Sequence, residues 1–369
     1  MKLTISKEQL IQGLQAVQNI VSTRTTLPVL SNVLLRADEN RLELTATDLD
    51  VSISSAVEAS VEKPGAVTLP AKKLFGIIRE LPTPQIELDI DEKNNCRILS
   101  GSSYYKINGL AAEEFPPFPK FAENRKIKLG QDKLRSLLRK TSFAISTDES
   151  RFVLNGIFFS LKEHKMTLVA TDGRRLALAE EEVDLTPGSE GECIVPSKAI
   201  NELSRLLGTQ SEVEIKFNDN QAAFTLTNEK GLLTVIISKL IDGNYPNYKQ
   251  VIPTETKERI PLVREELLQA LRRAEIMTSE KSNSVKLNFT KNKLEITANT
   301  PDVGEARESM AVNYKANDIA IAFNPTYLMD PLKALDNDEV YLELIDELSP
   351  GVVKINGPFL YVIMPMRMS

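Results

Sequence analysis

Two aspartates, Asp48 and Asp172, each close an Ala-Thr-Asp tripeptide after an alternating stretch, "LTATD" at 44–48 and "LVATD" at 168–172. Two carboxylates in matched settings are a candidate for general acid–base work. A looser third occurrence, "ITANT" at 296–300, has Thr300 where the aspartate would stand. Thr-Asp at a strand end is a common turn cap, because both side chains bond nearby backbone amides. The pattern therefore predicts a structural turn rather than a catalytic pair. Other chemistry is scarce. The single histidine, His164, lies in "KEHKM", the polar tip of an expected hairpin, so Ser-His or Cys-His catalysis has only that residue as base. No G-x-x-x-x-G-K-[ST], G-x-G-x-x-G or H-E-x-x-H occurs. Cys96 and Cys193 have no C-x-x-C or Cys/His cluster around them and read as small buried residues in a reducing compartment. No enzyme, metal or cofactor is expected.

The recurrence has a larger meaning. Ala46, Ala170 and Ala298 are 124 and 128 residues apart, close to a third of the 369-residue chain. A chain of that length exceeds what one core normally supports. Upstream of each site lies an amphipathic helix pattern: "SKEQLIQGLQAVQNIV", "GQDKLRSLLRKTSFAI" and "VREELLQALRRAEIMT". Leu10, Leu134 and Leu267 correspond; so do Leu14, Leu138 and Leu271, and then Val17, Thr141 and Ala274, the spacing of one buried helix face. Ser6 is a good N-cap for the first copy, and Gly130-Gln131-Asp132 opens the second. A strand, polar turn, strand pattern follows in each copy, then a second helix: "PAKKLFGIIREL", "PSKAINELSRLL" and "NPTYLMDPLKAL". Pro331 predicts a kink or a shortened helix in the third. Pro-rich connectors, "EEFPPFPKFAEN" and "DGNYPNYKQVIPTETKE", separate the copies. The expectation is an α+β chain of three repeated domains, 1–122, 123–254 and 255–369, each with two helices and antiparallel sheets.

Composition, 42% hydrophobic and 26% charged, is that of an ordinary globular protein. There is no run of about 18 apolar residues to span a membrane. "MKLTISKEQL" shows no signal-peptide pattern, so a cytoplasmic location is expected. Net charge is −6, which argues against nucleic acid only if charge is uniform. It is not uniform. In chain order the six helix patterns carry 0, +2, +3, +1, 0 and −1, a net +5 that leaves −11 for the remainder. Helices facing a polyanion and sheets facing outward would account for this.

Eight stretches resemble the bacterial sliding clamps, the beta subunits of the replicative DNA polymerase III. They are "TLPVLSNVLL" (26–35), "TDLD" (47–50), "LPAKKLF" (69–75), "FPPF" (115–118), "LNGIFF" (154–159), "VATDGRRLA" (169–177), "SKLIDGNYPNY" (238–248) and "YVIMPMRM" (361–368). Their order along the whole chain makes the match specific. The resemblance implies a ring-shaped head-to-tail homodimer of clamp-type domains around duplex DNA, with the polymerase catalytic subunit, the clamp loader and other clamp-motif peptides as partners. Packing geometry agrees. Twelve helices at about 9 Å spacing make a circle about 35 Å across, leaving about 25 Å inside once a helix width of about 10 Å is removed. That admits a duplex roughly 20 Å wide. Six helices would leave under about 10 Å, so one chain cannot close around DNA.

The resemblance also implies sites. Arg24, Lys73 and Lys198 match basic DNA-contact positions. The loop "STDESRFV" matches a DNA-facing loop, but Asp148, Phe152 and Val153 replace a polar amide and a tyrosine pair common there. A partner-peptide pocket is implied at Thr171, Gly173, Arg174, Arg175 and Leu176, with Leu154 beneath and Pro246 and Val251 from the connector. Val362, Met364, Pro365, Met366 and Arg367 supply the facing wall, joined by Asn324 and Tyr327. Apolar and Met groups would take Leu or Phe anchors while backbone and Arg groups hold polar ends. Arg174 stands where relatives often have His, which suits acidic peptide residues. Tyr105 and Ile107 would meet Ile276 and Met277 of a second subunit. Two alternatives stay open at this point: an enzyme of nucleotide metabolism using Asp48 and Asp172, and a scaffold unrelated to DNA.

Overall fold

The computed structural model describes residues 1–21, 27–121, 125–185, 187–279, 283–301 and 303–367. Each expected strand pair is an antiparallel hairpin. Asn32–Asp38 pairs with Arg41–Thr47, Gly156–Lys162 with Lys165–Thr171, and Val285–Thr290 with Lys293–Thr300. Glu39 and Asn40 at the first tip, Glu163 and His164 at the second, and Asn292 at the third have positive φ. Two-residue hairpin loops demand this, since left-handed turns match the twist of the flanking strands. His164 is thus an exposed tip residue, as its setting predicts.

Among the described residues six α-helices follow the repeat: α1 Lys7–Val17, α2 Ala71–Glu80, α3 Gln131–Thr141, α4 Ser197–Leu206, α5 Arg264–Glu275 and α6 Pro325–Ala334. The expected stripe of α1, α3 and α5 is the buried one, from Leu10, Leu14 and Val17 to Leu267, Leu271 and Ala274. Ser6 caps α1 by accepting from the Gln9 amide at 3.2 Å. Buried Gln131 opens α3: its amide donates to the Glu212 and Thr227 carbonyls (3.1 and 2.9 Å) and accepts from Gly208 N at 2.8 Å. Cys96 is buried, as expected, but Cys193 is only partly so. Desolvation pushes both thiols up to about 12, so neither is a thiolate at neutral pH. No helix of the described residues is long and apolar enough to cross a membrane.

The expected shortening of the third copy's second helix is not found. α6 has ten residues, as do α2 and α4, and Pro331 lies within it. A proline removes the amide that would bond the carbonyl four residues earlier, here Tyr327. That carbonyl instead accepts from the Tyr361 hydroxyl at 2.8 Å. A side chain from a neighbouring strand supplies the donor that the backbone lacks.

Compaction divides the chain differently from repetition. One unit comprises Met1–Arg135 and Val183–Ile241; the other comprises Ser136–Glu182 and Asp242–Ser369. The reason is strand pairing between copies. In the first unit Leu233–Lys239 pairs with Val51–Glu58, so strands of the first and second copies share one sheet. In the second unit Arg175–Glu182 pairs with Phe359–Ile363, joining the second and third copies. A five-stranded sheet in the first unit ends on Ser103–Asn108, and a four-stranded sheet in the second ends on Gly304–Ala311.

The Ala-Thr-Asp sites are turns of one design. Asp48 Oδ1 accepts from the amides of Asp50 and Val51 at 3.0 and 2.8 Å, and Asp172 Oδ1 from those of Arg174 and Arg175 at 2.9 and 3.1 Å. Thr47 and Thr171 hydroxyls each accept from the residue two positions on, Leu49 and Gly173. Both of those residues have left-handed φ, 78° and 84°. Thr300 in the third copy serves differently, donating to the Met277 carbonyl at 2.7 Å. Asp48→Ala, which removes an acceptor from two amides, should lower unfolding free energy by about 1–3 kcal/mol in urea titration. Asp48→Asn keeps that acceptor and should cost within about 1 kcal/mol, the most that losing a half-exposed ion pair takes away. Equal losses would mean that charge, not turn capping, is what the position supplies.

Candidate functional site

A dense polar cluster of the second unit surrounds Arg175, at the start of the strand Arg175–Glu182. Its guanidinium donates from Nε to Asp172 Oδ2 at 3.0 Å, from Nη1 to Asp330 Oδ2 at 2.5 Å and from Nη2 to the Phe143 carbonyl at 2.6 Å. It also lies over the Tyr327 ring, 4.2 Å from the centroid, and 5.7 Å from that of Phe143. Its side chain is 10% exposed. Burial works against the charge, yet the Asp330 hydrogen bond and the surrounding negative groups outweigh it and raise the Arg175 pKa. The planar fork suits this role, since lysine could not meet three acceptors and a ring face at once.

Of the implied pocket residues, Leu176, Val362 and Tyr327 are placed beside this cluster by strand register and ring contact. Register sets Leu176 opposite Val362 and Arg175 opposite Ile363. Leu154, Leu176 and Val362 are buried. Beyond Ile363 the chain leaves the sheet, and two amides hold it: Met364 N donates to Arg174 O at 3.0 Å, Met366 N to Ala322 O at 2.7 Å. Met364 and Met366 therefore stay 45% and 37% exposed, and Val251 is 50% exposed. Pro246, Arg174 and Arg367 are exposed, and Pro365 is half-buried. Asn324 caps α6 by accepting from Tyr327 N at 3.3 Å. Tyr245 of the connector stacks on Phe158 with centroids 5.0 Å apart, which anchors the segment carrying Pro246. Gly173 is required by its φ of +84°. Met364, Met366, Val251, Pro246, Arg174 and Arg367 are thus the exposed side chains among these residues. Sequence reasoning missed Phe143, Asp330 and Tyr361. Only Tyr361 carried a signal, as the first residue of "YVIMPMRM".

The N-terminal, central and C-terminal domain families of the DNA polymerase III beta subunit match residues 1–119, 128–247 and 249–367. The chain is 37% identical over 368 residues to the beta sliding clamp of Chlamydia muridarum, covering 100% of this chain and 99% of that protein. It is 31% identical to the beta sliding clamp of Bacillus subtilis, with 100% of both covered. The chain belongs to the DNA polymerase III beta subunit family, the beta sliding clamps. Among solved structures, the subunit from Pseudomonas aeruginosa matches with a TM-score of 0.94 at 34% identity, and so does a sliding clamp from Bartonella birtlesii bound to griselimycin. Each match covers 100% of both chains.

Within this family the remaining positions fall as follows. Arg24 lies outside the described residues. Lys73 is exposed on α2. Lys198 Nζ, on α4, bonds Asp48 Oδ2, so the turn aspartate of the first copy holds a cation much as Asp172 holds Arg175. Asp148 folds its own loop: it accepts from Ser150 N and Oγ at 3.0 and 2.6 Å and from Arg151 Nε at 3.0 Å. These bonds, the Ser150 hydroxyl's first, hold its carboxyl below the usual range. Phe152 is 57% exposed and Val153 half-buried. Tyr105 is 41% exposed on the outer strand Ser103–Asn108, where Ile107 is half-buried. Ile276 is 76% exposed just past α5, beside half-buried Met277.

Arg175→Ala strips a buried cation from two carboxylates and should lower unfolding free energy by about 3–5 kcal/mol, measured by urea titration. A loss under about 1 kcal/mol would mean that Asp172 and Asp330 relax into water without cost.

Proposed function

We propose that this chain is a non-catalytic processivity factor of the cytoplasm: two copies close head to tail around duplex DNA, and each tethers the polymerase catalytic subunit, the clamp loader and other peptide-bearing partners. The observation that carries the tethering half is the exposure of Met364, Met366 and Val251 in the second unit. Unbranched, polarizable methionines adapt to differing apolar anchors, and the amides of Met364 and Met366 fix the wall that bears them. Arg174 and Arg367, both exposed, are the guanidinium groups placed to meet acidic peptide positions, because the donors of Arg175 are engaged internally.

Ring closure is supported by edges. Ser103–Asn108 and Gly304–Ala311 each end a sheet with unpaired backbone groups and exposed apolar neighbours, among them Tyr104, Tyr105, Ile276 and Val303. An open apolar edge on a monomer invites aggregation, and head-to-tail pairing of two copies removes both edges. In this reading domains 1–122, 123–254 and 255–369, present in two copies, make six domains around the ring. DNA contact through Arg24, Lys73 and Lys198 reaches phosphates, not bases, and stays weak enough to slide. Lys198 would exchange Asp48 for phosphate. The occupation of Asp48 and Asp172 in turns takes away the motive for an enzymatic alternative.

Deleting residues 364–369 should leave the dimer intact in sedimentation while abolishing binding of polymerase and clamp loader. Unchanged binding of a polymerase-derived linear peptide to the truncated chain would refute the pocket assignment. Replacing Ile276 and Met277 with aspartates should give a folded monomer that is no longer retained on nicked circular DNA. The unmutated protein should be retained and should be lost once the circle is linearised. A dimer that persists in the doubly substituted chain at micromolar concentration would refute the interface.

A further inference from the structure

The C-terminal strand Phe359–Ile363 does more than pair with its neighbours. Tyr361 is fully buried, and its hydroxyl donates to the carbonyl that Pro331 leaves without a helical partner, that of Tyr327. Burial pushes the Tyr361 phenol above its usual range, so the hydroxyl keeps the proton it donates. Its ring lies 5.6 Å from that of Phe143, whose carbonyl accepts from Arg175. Tyr327, held from one side by this bond, presents its ring to the Arg175 guanidinium. Asp330, the residue before the proline, takes another donor of the same guanidinium. Both ends of the proline gap therefore report on Arg175, and Arg175 on the turn that carries Gly173 and Arg174.

We propose that Tyr361 is a positioning residue for the peptide surface: its hydroxyl stands in for the amide missing at Pro331 and thereby sets the place of Tyr327 and of the Arg175 turn. An unsatisfied carbonyl inside a helix would otherwise draw in water or bend the helix away, and the strand Phe359–Ile363 also leads into the Met364–Arg367 wall. One hydroxyl thus ties α6, the Arg175 turn and the C-terminal wall to a single geometry. This inference rests on the peptide-binding reading, but part of its test does not.

The test uses the full chain with Tyr361→Phe, alone and combined with Pro331→Ala, which restores a backbone donor to the Tyr327 carbonyl. Griselimycin, which a clamp of 34% identity holds, serves as the probe, titrated by calorimetry. Hydrogen exchange along α6 is followed without ligand. Tyr361→Phe should weaken griselimycin binding about tenfold, the size of one buried hydrogen bond, and speed exchange at Leu335, whose amide bonds Pro331 O. Pro331→Ala in that background should restore both. Unchanged binding and exchange in Tyr361→Phe, or a double variant no better than the single one, would overturn the proposal. Altered exchange with unaltered binding would overturn it too, leaving Tyr361 a helix-completing residue only. If the unmutated chain binds no griselimycin, the peptide-binding reading is what fails; exchange and its rescue then decide the positioning claim alone.

Discussion

One buried guanidinium organises the second unit. Arg175 is charged at any pH the protein meets, so its burial is tolerable only if its donors find acceptors. Three acceptors come from places far apart in sequence: Asp172 in the turn just before it, Phe143 after α3 and Asp330 in α6. The constraint is mutual. Asp172 must keep its turn for the Nε bond to form, α6 must keep its axis for Asp330 to reach, and Tyr327 must keep its ring beneath the cation. The same segments carry Leu176, Tyr327 and the strand that leads to Met364.

Repetition reused a turn and diverged around it. Asp48 and Asp172 each spend one carboxylate oxygen on two backbone amides and the other on a cation. In the first copy that cation is Lys198, half-exposed; in the second it is Arg175, enclosed. The same five-residue device therefore serves a surface lysine in one place and a buried node in the other. The difference is the neighbour's burial and fork geometry, not the turn. The third copy gave up the aspartate, and Thr300 bonds the segment after α5 instead.

Much was legible in the sequence. Apolar spacing in Leu10, Leu14 and Val17 and its two echoes determined which helix faces are buried, because a 3.6-residue period allows one interior face only. Alternation around polar tips determined the hairpins and put His164 at a turn. Both rest on local periodicity, which a single chain displays in full. The motifs around 169–177 and 361–368 likewise marked two walls of the candidate site, although what they face was implied by resemblance alone.

Tertiary structure decided the rest, and each case involves a partner distant along the chain. Pro331 predicted a kink or a shortened helix because local rules count only the lost amide; α6 keeps its ten residues, and Tyr361, thirty residues on, supplies the missing donor. Arg175 read as a ligand-facing group, but Phe143 and Asp330 claim its donors. Lys198 matches a DNA-contact position in sequence, and only the tertiary structure sets Asp48 beside it. Three copies match three domain families, and strand pairing between copies further groups them into two compact units. Periodicity states which residues are buried; it is silent on which buried polar group meets which. That pairing is settled only when strands and helices close on one another.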